Sequence, residues 1–371
     1  MNLLLIITSV LFGLILLLEW VLLMRVVRSL RQERQIVLLQ DDRLPRVSIL
    51  IAARNEEDKL PSLLQSLDKQ DYQRQLFEVI IADDQSEDGT WPLLQVAQKR
   101  YPWLSTIQVP EGHQPIGKQG ALALLSSEAK GHIWLYLDAD CLPPPIWARE
   151  MVSRMEYAGA DLLSGTTIVE GKGLLASLQQ TDWMQALAML HTAAAIDKPL
   201  TLLGNNFGFR RKAYQKTGGW AKLSPSMTED YVMFRVCQDK GLNIVQTLSP
   251  APVVTQAAEA EELYQQRKRW LSASVSVPFI YQLVMILRWF KLPLLVTIAL
   301  AMAWQVAAGI ALIHWVTRRT MFGMLARHMQ RTMSYPGVLF FGLYELLLNG
   351  VSWLGLLLRP TVRWKGRKYR S

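Results

Sequence analysis

The sequence predicts an α/β domain built on a mostly parallel sheet, with apolar helices on either side of it in the chain. Three observations carry that prediction. Short apolar runs alternate with amphipathic stretches from Arg46 onward, polar clusters stand where several of those runs end, and long apolar segments lie near both ends.

In chain order, Leu3 to Met24 is apolar apart from Thr8, Ser9 and Glu19, long enough to cross a hydrocarbon core of about 30 Å. No Lys or Arg precedes it and no small-residue cleavage site comes after it, so it reads as an anchor (residues 1–24) and not a cleaved signal. Arg25, Arg28, Arg31 and Arg34 open a basic linker (residues 25–45), and the positive-inside rule places the chain beyond the anchor in the cytoplasm. A domain is then expected over residues 46–270. Val47 to Ala53 reads as a buried strand, Glu57 to Lys69 as a helix, Glu78 to Ala82 as a strand and Gly89 to Arg100 as a helix. Leu104 to Val109 and Ile133 to Leu137 extend the strand series, with Lys118 to Lys130 as a helix between them. Strands joined by crossover helices make a parallel sheet, which binds ligands beyond the carboxyl ends of its strands.

Beyond that domain, residues 271–291 read as an interfacial helix, although an additional crossing within Val277 to Phe290 is the alternative. Leu292 to Val316 and Tyr335 to Leu358 read as two spans (residues 292–358), with Glu345 and Asn349 interrupting the second. The tail (residues 359–371) carries Arg359, Arg363, Lys365, Arg367, Lys368 and Arg370, and the loop between the spans carries Arg318, Arg319, Arg327 and Arg331. The net charge of +9 is concentrated in such segments, so an anionic membrane surface is the expected partner and nucleic acid is not. The two cysteines, Cys141 and Cys237, have no metal-type spacing and suit buried thiols in a reducing compartment.

Three polar clusters coincide with strand ends: Arg54-Asn55-Glu56, Asp83-Asp84-Gln85-Ser86 and Asp138-Ala139-Asp140. Each alone would pass for a turn or a helix cap. A strand continuing through Asp138 and Asp140 would point both carboxylates to one face, a placement that suits Mg²⁺ or Mn²⁺ and the phosphates of a substrate. Further on, Thr228-Glu229-Asp230 precedes a helix over Val232 to Asp239; Thr228 can cap it, and Asp230 can serve as a general base. Gln266-Arg267-Lys268-Arg269-Trp270 can be a basic patch with an interfacial Trp, or can offer Arg269 to phosphate oxygens and Trp270 as a flat wall.

This ordered set, Asp-Asp, Asp-x-Asp, Glu-Asp and Gln-x-x-Arg-Trp, resembles the membrane-bound family 2 glycosyltransferases of GT-A fold, a branch that includes ceramide glucosyltransferases, hyaluronan synthases and cellulose synthases. The resemblance covers Pro45 to Trp270. It implies that Ala53, Arg54 and Glu56 cradle the nucleoside, that Asp84 or Asp83 faces the base, and that Gly117-Lys118 lies near the diphosphate. Asp138 and Asp140 would hold donor and metal, Asp230 beside Glu229 would be the catalytic base, and Gln266, Arg269 and Trp270 would complete the final motif. Gly204 to Arg211 stands where the family leads into its acceptor pocket, and Gln85 stands where the family usually has Gly. The implied reaction is metal-dependent, inverting transfer of a sugar from a nucleotide-diphosphate donor, a UDP-sugar by family habit.

The apolar stretch Gly173 to Ile196, with Leu174, Leu175, Leu178, Trp183, Met184, Leu187 and Met189, reads first as core. It would also suit the approach of a lipid or lipid-linked acceptor at the cytoplasmic membrane face, which is the preferred reading because so few spans make a poor polysaccharide channel. Processive polymer synthesis is the runner-up. A catalytically silent scaffold would be expected to lack one of the acids, and a transporter to show repeated halves.

Overall fold

The computed structural model describes every residue except 1–2, 34–36, 197, 275–281, 284–285, 288, 302–303, 360 and 371. The chain divides into two compact units. One comprises Glu33–Ile168 and Ala193–Gln256; the other comprises Met1–Gln32, Val169–Thr192 and Ala257–Ser371. The first is narrower than residues 46–270, because the helix after residue 172 and the helix bearing Gln266 group with the terminal helices.

In the first unit the expected alternation is present. Strand β1 (Val47–Ala53), helix α2 (Leu60–Asp68), β2 (Phe77–Asp83), α3 (Thr90–Arg100), β3 (Leu104–Gln108), α4 (Lys118–Glu128) and β4 (Ile133–Leu137) succeed one another in order. Then come β5 (Cys141–Leu142), α5 (Trp147–Ala158), β6 (Leu162–Ser164), β8 (Asn206–Arg210), α7 (Arg211–Thr217), α8 (Glu229–Asp239), β9 (Ile244–Gln246) and β10 (Val253–Gln256). The chain leaves this unit within β7 (Thr167–Glu170). The seven-stranded sheet has the order β3-β2-β1-β4-β8-β6-β9. β1 runs parallel to both β2 and β4, while β8 is antiparallel to β4 and β6.

Apolar side chains at successive strand positions bury the sheet on both faces. Ile49, Ile51, Ile133, Leu135 and Leu137 join one core cluster; Leu50, Trp134 and Tyr136, at the intervening positions, join the other. Each such aliphatic side chain contributes about 1.5–3 kcal/mol when fully buried. The chain first builds β1-β2-β3 outward and then returns to place β4 on the other side of β1, so the sheet order reverses between β1 and β4. Ligands bind α/β sheets at such a reversal, outside the carboxyl ends of the strands.

In the second unit, helix α1 (Leu3–Glu33) runs past Met24 without a break, since nothing in Arg25 to Glu33 stops a helix. α6 (Gly173–Ala194) and α9 (Ala260–Ser274) come next. Over the expected span Leu292 to Val316 the described residues form α10 (Lys291–Ala301) and α11 (Trp304–His328), which runs on past Val316; residues 302–303 lie outside the described residues. The arginines read as a loop therefore mostly lie on α11. Arg318 is buried there, donating to Gln185 and stacking on Phe322 and Phe341, because burial of a guanidinium requires such partners. α12 (Tyr335–Leu358) matches the last expected span, and α1 and α12 are long and apolar enough to cross a membrane. Leu17, Trp20, Leu347, Leu354 and Leu357 stand exposed on them. Of the interfacial helix and alternative crossing expected over residues 271–291, residues 271–274 belong to α9, and 275–281, 284–285 and 288 lie outside the described residues.

Candidate active site

At the end of β4 the strand does not continue through the acidic pair. Cys141 N donates to Asp138 O at 3.1 Å, so Asp138 to Cys141 form a turn that places two half-buried carboxylates on one short loop. Antiparallel pairing of β8 with β4 sets Asn206 opposite Leu137 and brings the residues before it alongside: Asp138 N donates to Asn205 O at 3.2 Å. Lys118, the first residue of α4, comes after Gly117, whose φ of 83° is a conformation that favours glycine. Its ammonium lies 2.5 Å from Asp138 Oδ1 and 3.5 Å from Glu229 Oε1. Burial opposes the Lys118 charge, but Asp138, Glu229 and Asp230 outweigh it and hold the pKa above the ordinary lysine value. Thr228 occupies the N-cap position of α8, but its hydroxyl does not cap; Asp230 Oδ1 accepts instead from the adjacent Tyr231 N at 2.8 Å.

Gly204 explains the position of Asp230. A Cβ at Gly204 would collide with Asp230 Oδ2 and fall 2.6 Å from its Cγ and 2.7 Å from its Cβ. Only a hydrogen fits beneath that carboxylate. The segment expected to lead into the acceptor pocket thus packs directly against the expected base.

At the ends of β1 and β2 the predicted nucleoside loops are tied to each other. Arg54 donates to the carbonyls of Asp84 and Gln85 and pairs with Glu87 at 2.6 Å, so it braces the two loops. Asn55 N donates to Ser86 Oγ at 2.9 Å, and Glu56 N donates to Thr90 Oγ1 at 2.8 Å. Ala53 is buried at the strand end and its carbonyl accepts from Asp84 N at 2.7 Å. Asp83, Asp84 and Glu56 are all buried, and Asp83 Oδ2 accepts from Gln108 Nε2 at 3.5 Å. Gln85 has φ 58°, a left-handed conformation that glycine adopts more readily. Gln85, Ser86, Gln108, Val109, Pro110 and Glu111 line a cavity of about 360 Å³ beside these loops.

The final motif lies on α9, in the helical unit. Trp270 meets Trp183 of α6 edge to face, with centroids 6.1 Å apart, and Arg267 stacks over Trp270 at 5.4 Å while pairing with Asp182. Gln266 and Arg269 are half-buried on the same helix. Of the apolar stretch read on α6, Leu178, Met184 and Leu187 are core, whereas Leu174 is exposed and Trp183 half-buried.

The sequence profile of glycosyl transferase family 21 matches residues 5–371, almost the whole chain. The chain belongs to that family. It is a glycosyltransferase, as the motif set implied, and the profile extends the resemblance through the terminal helices. A β-monoglucosyldiacylglycerol synthase of Trichormus variabilis is 30% identical over 236 residues, which are 61% of this chain and 48% of that protein. The synthase of the same description from Nostoc sp. matches with the same identity and coverage. The chain spans about half the length of the curated relatives it matches. Among solved structures, a mannosyltransferase from Pyrobaculum calidifontis in complex with GDP-Man and Mn²⁺ superposes with TM-score 0.55 at 19% identity, over 93% of this chain and 98% of that one. That likeness establishes the GT-A fold.

In this glycosyltransferase a divalent cation fits the Asp138–Asp140 turn. Mg²⁺ and Mn²⁺ accept one or two protein carboxylates and complete their shells with water and phosphate oxygens, and both acids here are partly open to solvent. Sequence reasoning did not single out Gln108, the last residue of the third strand, or Glu111 just beyond it, which line the cavity. It also missed the role of Gly204 beneath Asp230, which depends on contact across the chain.

Proposed function

We propose that this glycosyltransferase moves a sugar, with inversion, from a nucleotide-diphosphate donor such as a UDP-sugar to a lipid or lipid-linked acceptor at the cytoplasmic membrane face. The observation that carries the reading is the gathering of Asp138, Glu229 and Asp230 around Lys118 at the carboxyl edge of the sheet. Asp230 takes the proton of the acceptor hydroxyl as that oxygen attacks the anomeric carbon, and Glu229 holds Lys118 in place. Lys118 pins the Asp138 turn and brings positive charge to the diphosphate region. Mg²⁺ or Mn²⁺ held by Asp138 and Asp140 would neutralise charge on the departing diphosphate. Ala53, Arg54, Glu56, Asp83 and Asp84 shape the nucleoside side, and the cavity edged by Gln108 and Glu111 receives part of it. By their match to the family's final motif, Gln266, Arg269 and Trp270 belong to the same machinery, with Arg269 answering the charge that develops on the diphosphate. The exposed apolar faces of α1 and α12, the juxtamembrane arginines and the diacylglycerol named in the relatives' description support a lipid acceptor and an anionic membrane surface.

The test is a reaction of purified protein in anionic lipid vesicles with an α-linked UDP-sugar and Mn²⁺, with and without chelator. The expected product is a β-linked glycolipid by NMR, formed only without chelator. An α-linked product would remove inversion, and undiminished synthesis in chelator would remove the metal.

A further inference from the structure

The basic tail read as a lipid-binding segment is a folded element. Strands β11 (Thr361–Trp364) and β12 (Arg367–Arg370) pair antiparallel from Thr361↔Arg370 to Trp364↔Arg367. The two residues between them, Lys365 at φ 46° and Gly366 at φ 79°, supply the positive φ values that a tight hairpin turn requires. Val362 is fully buried. The hairpin is fastened to one stripe of α9, positions 265, 268 and 269, which share a helical face. Arg363 N donates to Gln265 Oε1 at 3.1 Å, and buried Lys268 donates to the carbonyls of Arg359 at 3.2 Å and Thr361 at 2.8 Å. Next to these bonds the Arg269 guanidinium lies over the Trp364 ring, 4.2 Å from its centroid.

We propose that Trp364 is a positioning residue for sugar transfer: the C-terminal hairpin holds its indole under Arg269 so that the guanidinium is preset for the charge that develops on the diphosphate. The inference rests on the role given to Arg269 above. A segment serving only as a charged anchor needs neither a buried valine nor a lysine directed at its own backbone carbonyls. A planar cation on an indole face is restrained in tilt and position, and a group ordered before the reaction does not have to be ordered during it. The motif helix is thereby supported twice. Trp270 rests on Trp183 of α6, and Arg269 rests on Trp364 of the hairpin.

The test compares full-length Arg269→Ala, Trp364→Ala, Trp364→Phe and the Arg269→Ala/Trp364→Ala pair in lipid vesicles, reading kcat, donor KM and the thermal midpoint. Trp364→Ala is expected to lower kcat about ten-fold or more with donor KM and thermal midpoint near wild type. Trp364→Phe, which keeps an aromatic face, restores most of the rate, and the pair is no slower than Arg269→Ala alone. Full kcat in Trp364→Ala beside an impaired Arg269→Ala would overturn the hairpin's role and leave that of Arg269 standing. Losses that multiply in the pair, or a Phe variant as slow as Ala, would also overturn it. A fully active Arg269→Ala would overturn both readings.

Discussion

At the sheet edge Lys118 is 29% and Asp138 33% exposed, while Glu229 beside Lys118 is 7% exposed. Among the apolar helices the side chains of Glu19, Lys291 and Glu345 are 7%, 5% and 6% exposed, with Lys291 3.5 Å from each acid and His314 2.6 Å from Glu19. The same residue types serve different ends in the two regions. Charges packed among helices α1, α10, α11 and α12 answer one another and fix how those helices meet, since a buried ion without its partner costs several kcal/mol. Charges at the sheet edge gather several acids around one ammonium at a mouth open to solvent, which leaves them work to do on a ligand.

That contrast breaks first at Asp230. Asp230→Asn should lower turnover by about 10²–10⁴-fold while nucleotide binding by calorimetry stays near wild type; unchanged turnover would take the base away from this position. Lys291→Met, in the other region, should lose about 3–5 kcal/mol of stability by removing the cation that lies 3.5 Å from two buried carboxylates, with kcat of the folded protein unchanged. A fall in kcat without a fall in thermal midpoint would give the helical charges a catalytic part and dissolve the comparison.

Gly204→Ala sharpens it at the sheet edge. The added methyl cannot coexist with Asp230 where it stands, and a displacement of about 1 Å should cost about 10²-fold in kcat with donor affinity retained. Gln85→Gly should be a small gain, about 0.5 kcal/mol in a denaturation midpoint, since relief of the left-handed strain exceeds the entropy that glycine adds to the unfolded chain. The smallest signal concerns the thiols. Burial pushes Cys237 up to about 12 and raises Cys141 as well, so neither should react with a thiol reagent at pH 8 until the protein unfolds. Lys118, with its pKa raised, keeps its charge through the neutral range; its contribution to stability is lost only as pH rises through that raised value.

Much of the sheet is legible in the sequence because both-face burial writes long apolar runs: Val47 to Ala53 reads with the bounds it has, and Ile133 to Leu137 likewise. The acids at the strand ends are located by the same placement. The rest depends on contacts across the chain. The turn after Leu137 is closed by Asp138 O and Cys141 N, a bond that no alternation of residue types announces. Gly204 gives no sign of its place beneath Asp230. Trp364 is far from Arg269 in sequence, so charge alone makes the tail look like an anchor. The helix that carries Arg318 runs on to His328, past the expected end at Val316, which hydropathy misses because it records apolar length and is blind to a helix that continues through charged residues.

The most direct measurement of the central claim is transfer of radiolabelled sugar by wild-type and Asp230→Asn protein, each in vesicles of anionic membrane lipid with Mn²⁺ and a panel of nucleotide sugars. Label should enter an organic-soluble glycolipid with the wild type alone, while both proteins bind the donor equally. Label appearing only in water-soluble product, or equally with both proteins, would contradict the account.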